Sequence, residues 1–112
     1  MDRLHIIRRC VTGRTVLDCG AADHYCFGHK LSRGVWLHAG VRAVAKSVVG
    51  VDILRDAVEQ LNAAGYDFRV ADVERMDLSE RFDVVLTGDL IEHLANPGAF
   101  LQCAKRHLNR RG

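Results

Sequence analysis

Apolar positions along this chain fall alternately into helix-like stripes and short continuous runs. Residues 2–12 set Leu4, Ile7 and Val11 on one face of a helix among charged neighbours. Residues 15–19, with Val16 and Leu17 ahead of Asp18, form a compact run that breaks at Gly20 and Ala21, which predicts a buried first strand feeding a tight turn. Val35, Trp36, Ala39, Val41, Ala43 and Val44 give residues 33–46 a broad apolar side, with Trp36 expected in the core and His38 at its edge. Residues 48–52 read as a second strand. Residues 55–64 carry Ala57, Val58, Leu61 and Ala64 on one helical stripe, stopped by Gly65. Residues 68–71 predict a third strand. Residues 82–86, nearly all apolar, predict a fourth that is covered on both faces. Asn96 as N-cap and Pro97 in the first turn open a last helix running towards Gly112.

Strands alternating with helices predict an α/β fold with a parallel sheet wound right-handed. In such sheets ligands bind at the carboxyl ends of the strands. Asp18 and Asp52 close the first two strands at a separation of about thirty residues, as a βαβ unit requires.

Composition narrows the function classes. A chain of 112 residues makes one domain with a modest core. Its net charge of +2 is too small to argue for nucleic acid or an anionic membrane surface as partner, so nucleic acid is not the expected partner and no membrane is expected, and no apolar run reaches membrane-span length. Cys10, Cys19, Cys26 and Cys103 lack the paired spacing of a disulfide framework, so a reducing cytoplasm is expected. Lys105, Arg106, His107, Arg110 and Arg111 are accounted for by the dipole at the carboxyl end of the last helix, and Arg8, Arg9 and Arg14 by a solvated surface.

The ordered segments Val16-Leu17-Asp18-Cys19-Gly20, Val49-Gly50-Val51-Asp52, Ala71-Asp72-Val73, and Phe82-Asp83-Val84-Val85 with Ile91-Glu92-His93-Leu94 resemble the motifs of class I S-adenosylmethionine-dependent methyltransferases. The resemblance spans residues 14–112. It implies a Rossmann-like parallel sheet of order 3-2-1-4 with helices on both faces, and S-adenosylmethionine as cofactor. It also implies roles. Backbone groups at Gly20, Ala21 and Ala22 approach the methionine carboxylate, and Asp18 holds that loop or meets the cofactor's ammonium group. Asp52 accepts from the ribose hydroxyls. Asp72 accepts from the adenine amino group while the Val73 N–H meets a ring nitrogen, and Ile53 and Val73 flank the adenine. Gly88, after the fourth strand, completes the set.

Two departures stand out. The family's first loop usually alternates three glycines, and here Ala22 and His24 take the second and third places; His24 reaches over the methionyl end, caps the next helix or faces solvent. No Gly-x-Gly-x-x-Gly fingerprint is present, which disfavours nicotinamide chemistry. Asp89, Glu92 and His93 offer a possible divalent-metal face and the nearest candidates for a general base. Three ligands leave a hard cation's shell far from full, so helix-start packing is the preferred reading and no metal is expected. Cys26-x-x-His29 has no second ligand pair for zinc.

The family sheet has seven strands, and only four are legible here. The expectation is therefore a single partial domain over 1–112, a short helix at 2–12 followed by a cofactor-binding core at 14–112, truncated before the fifth strand. The acceptor is not legible. A non-catalytic cofactor-binding or interaction module and a metal-assisted RNA 2′-O-methyltransferase-like enzyme remain as alternatives. The fourth strand would be left as an apolar edge, open to self-association or covered by the chain's own terminus or another chain.

Overall fold

A computed structural model describes residues 3–20, 33–87 and 94–109. In chain order the elements are α1 (Arg3–Val11), β1 (Thr15–Cys19), α2 (Arg33–Val44), β2 (Ser47–Asp52), α3 (Arg55–Ala63), β3 (Phe68–Val70), β4 (Val84–Thr87) and α4 (Pro97–Arg106). The four strands make one parallel sheet in the order β3-β2-β1-β4, as expected.

β1 is paired on both sides: Leu17 lies opposite Val49 on β2 and Val85 on β4. Its successive side chains Val16 and Leu17 are both fully enclosed, so both faces of the sheet are covered. On one face Val16 and Val48 pack with Val11 of α1 and Val41 of α2. On the other, Leu17, Cys19, Val49 and Val51 meet Phe100 and Ala104 of α4, together with Val73, Met76 and Phe82. α3 lays Ala57, Val58 and Leu61 on Phe68 at the start of β3. The side chains of Leu4, Val35 and Trp36 lie outside the described residues.

Gly50 makes that last contact possible. It sits opposite Phe68 in the β2–β3 register, and a Cβ built on Gly50 would fall 2.5 Å from the phenyl ring. Glycine here serves a close approach of ring to backbone. Asn62 of α3 locks the same strand, accepting from Phe68 N (2.6 Å) and donating to its carbonyl (2.9 Å).

Three expectations need correction. The fourth strand begins at Val84 rather than at 82. Phe82 instead bridges to Leu108 in parallel, donating from its N–H to the His107 carbonyl (2.7 Å) and accepting from Asn109 N–H (2.8 Å). The chain after α4 thus lies beside the segment just ahead of β4. Asp83 is turned to the other side: its N–H donates to the Thr15 carbonyl (2.9 Å), and its carboxylate accepts from Thr15 N–H (3.0 Å) and Asn109 Nδ2 (2.8 Å).

His107 is the second correction. It does not join a cationic surface; it caps α4 and is buried. Its Nδ1 lies 2.7 Å from the Cys103 carbonyl, which can only accept, and its Nε2 takes the Leu78 N–H at 3.0 Å. That pairing fixes a neutral ring protonated on Nδ1. The third is His38, which lies in the core and not at its edge, 1% exposed. Asn96 caps α4 as expected, its side chain accepting from Ala99 N–H at 3.0 Å.

Gly50→Ala is expected to destabilise the fold by about 1–3 kcal/mol, because the added methyl must displace the Phe68 ring; chemical denaturation of the two proteins measures it, and equal midpoints contradict the packing described. The bonds from Thr15 and Asn109, with Arg14 near, hold the Asp83 carboxyl below the usual carboxylate range. A carboxyl held low adds stability above its unfolded value of about 3.9, and that gain is lost as pH falls through the folded value. Melting temperature should therefore drop less steeply below about pH 4 in Asp83→Asn than in the wild type, and parallel profiles contradict this.

Candidate functional site

The carboxyl ends of β1, β2 and β3 are held in step by main-chain bonds. Cys19 lies opposite Val51, Asp52 opposite Val70, Gly20 N–H donates to the Val51 carbonyl (2.9 Å), and Ala71 N–H to the Asp52 carbonyl (3.0 Å). One edge of the sheet thereby collects Gly20, Asp52, Ile53, Asp72 and Val73. Gly20 leaves β1 at φ +70°, in the left-handed region where a side chain is strained.

Asp52 and Asp72 are oriented by their own turns. Asp52 is 7% exposed, and its Oδ1 accepts from Leu54 N–H at 3.1 Å, just ahead of α3. Asp72 accepts from Glu74 N–H at 2.9 Å, while its carbonyl takes Arg75 N–H (2.9 Å) and Met76 N–H (2.8 Å). Each carboxylate bonds the amide two residues on, as in Asx turns, which limits its rotation. Ile53, directly after Asp52, is an exposed apolar side chain, 65% accessible. Val73 is different: its side chain is buried in the core with Met76 and Phe100.

Asp18 has a partner that sequence reasoning missed. Its carboxylate is buried, and its Oδ2 lies 2.9 Å from Nδ1 of His38 on α2. Burial pushes the Asp18 carboxyl above its ordinary range, against the opposing pull of the hydrogen bond to His38. The neighbouring Cys19 thiol is raised as well, chiefly by burial and then by the Asp18 charge, which makes it an inert core group. The signal for His38 was present: an acidic side chain on a doubly covered strand needs an enclosed donor, and a histidine on the apolar face of the next helix supplies one.

Ala21, Ala22, His24, Gly88, Asp89, Glu92 and His93, with Cys26 and His29, lie outside the described residues. Among the described residues no group of three or more His, Cys, Asp or Glu side chains is placed to hold a metal ion.

The family model for the methyltransferase domain matches residues 32–112. A ubiquinone biosynthesis O-methyltransferase of Bradyrhizobium is 36% identical over 102 residues, covering 85% of this chain and 36% of that protein. One of Paramagnetospirillum magneticum is 32% identical over 106 residues, covering 95% of this chain and 41% of the relative. The chain thus spans about two-fifths or less of these relatives. Among solved structures, YcgJ of Bacillus subtilis superposes with a TM-score of 0.75 at 16% identity, over 97% of this chain and 47% of that one. A methyltransferase of Clostridium acetobutylicum gives 0.70 at 13% identity, over 96% and 45%. These likenesses show a shared Rossmann-like fold. With the family model matched over most of its length, the chain belongs to the methyltransferase-domain family.

Proposed function

We propose that the chain binds S-adenosylmethionine at the carboxyl edge of β1, β2 and β3, as the cofactor-binding half of a methyltransferase. The observation that carries this reading is the juxtaposition of Gly20, Asp52 and Asp72 at three strand ends held in register. The donor set suits the cofactor. Asp52, held by its turn to Leu54, is placed to accept from a ribose diol, and Asp72 to accept from the adenine amino group. The exposed Ile53 side chain offers an apolar surface for the purine. Gly20, without a Cβ, lets backbone approach the methionyl end.

When bound, the cofactor supplies an electrophilic sulfonium methyl, so the protein's main contribution is alignment of donor and acceptor. The name borne by the curated relatives, an O-methyltransferase of ubiquinone biosynthesis, supports an oxygen atom as acceptor. Asp18, Ala21, Ala22, His24, Val73 and Gly88 remain in the proposed cofactor set; among them Asp18 acts from beneath the edge and Val73 through its main chain. The same reading takes residues 14–112 as the cofactor-binding core, with the first helix as a preamble. A cytoplasmic location belongs to it too, supported by the unpaired thiols of Cys10, Cys19 and Cys103. So does self-association along β4, the outermost strand of the described sheet beside β1.

Titration calorimetry with S-adenosylhomocysteine tests the reading. The wild type should bind saturably, and Asp52→Ala should lose about 1.5–3 kcal/mol, the usual cost of hydrogen bonds to a charged group. Equal affinity in the two proteins would remove Asp52 from the ribose.

A further inference from the structure

Asp18 stands two residues before Gly20, yet its carboxylate is engaged by His38 of α2. Both members of the Asp18–His38 pair are enclosed, at 2% and 1% exposure. The far nitrogen of His38, Nε2, is also enclosed and has no hydrogen-bond partner among the described residues. A proton placed on Nε2 would leave a buried N–H orphaned. A proton on Nδ1 leaves only a lone pair there and gives Asp18 a donor.

The ring is braced from behind. It lies on Phe68 at 4.5 Å between centroids, with Tyr66 edge-on at 5.5 Å, and the Arg42 guanidinium lies 4.7 Å from the centre of the Tyr66 ring. Phe68 occupies that position because Gly50 leaves room for it. A continuous set of contacts therefore runs from β2 and β3 through His38 to Asp18, directly before the turn at Gly20.

We infer that His38 is a positioning residue for the cofactor edge: by donating to Asp18 it fixes the exit of β1 at Gly20 relative to α2, the helix that follows. This rests on the proposed cofactor reading. On this account Asp18 acts through His38 and not by direct contact with the ligand. Loss of the donor leaves a carboxylate enclosed without a partner, which takes up a proton or draws the strand end aside to reach water.

The test measures S-adenosylhomocysteine affinity and melting temperature for the 112-residue chain, at a temperature where circular dichroism shows every variant folded. His38→Leu should weaken binding by about tenfold, the scale of a small misplacement of positioned groups. His38→Asn, whose amide nitrogen takes the place of Nδ1, should stay within about threefold of the wild type, since it restores the bond to Asp18. Asp18→Asn should add no further loss in the His38→Leu background. If His38→Leu binds as the wild type does while melting earlier, the pair only holds the fold and the inference fails. It fails equally if Asp18→Asn weakens binding by the same factor in both backgrounds, for then Asp18 meets the ligand itself. Should His38→Leu not fold, His38→Gln replaces it: its longer arm misplaces the amide, so it should bind more weakly than His38→Asn, and equal binding by the two overturns the inference. A wild-type chain that does not bind the probe overturns the cofactor reading first, and this inference with it.

Discussion

A strand hydrogen-bonded along both edges and covered on both faces has no room for an unpaired polar group. β1 is such a strand, flanked by β2 and β4, with Val16 and Leu17 fully enclosed on opposite faces. Everything placed around it follows from that constraint. The apolar runs of β2 and β4 are what a central parallel sheet demands, and the helices must supply cover on both sides. Asp18 is the exception within the run, and it is tolerated because His38 comes down from α2 to meet it.

The same register that buries β1 also aligns the carboxyl ends of β1, β2 and β3, where the cofactor site is proposed. Parallel strands ending in step bring their loops to one side, and here those loops carry Gly20, Asp52 and Asp72. Each carboxylate is already held by an amide two residues on, so less freedom is left to lose on binding a ligand. At the opposite end of the sheet, Thr15, Asp83 and Asn109 form a separate polar clasp that joins the foot of β1 to β4 and to the chain after α4. The proposed ligand edge and this clasp thus lie at opposite ends of the strands.

Much of this was legible from residue order, because the fold rests on patterns that local sequence carries. The first strand, the third helix and the Asn96-Pro97 start of the last helix were readable from β-branched runs, an apolar stripe and a capping pair. What escaped depends on contacts between distant residues. The offset of β4 arises because Phe82 is drawn to Leu108 and Asp83 to Thr15, neither visible from the apolar run at 82–86. His38 and His107 read as an edge residue and a helix-end cation, yet both are buried with oriented hydrogen bonds whose partners lie in other elements. In the site, the positions of Asp52 and Asp72 were read from strand ends. The commitment of Val73 to the core was not, because Leu17 and Phe100 of its core cluster come from elsewhere in the chain.

On the proposed reading, the ligand occupies the carboxyl edge of the sheet and leaves the amino edge untouched. Amide chemical-shift mapping during titration with S-adenosylhomocysteine tests it most directly. Saturable changes are expected at Gly20, Ile53 and Val73, with Gly13, Lys46 and Asp83 at the opposite end unmoved. Changes clustered at the latter three, or a spectrum that does not respond to the ligand at all, would contradict it.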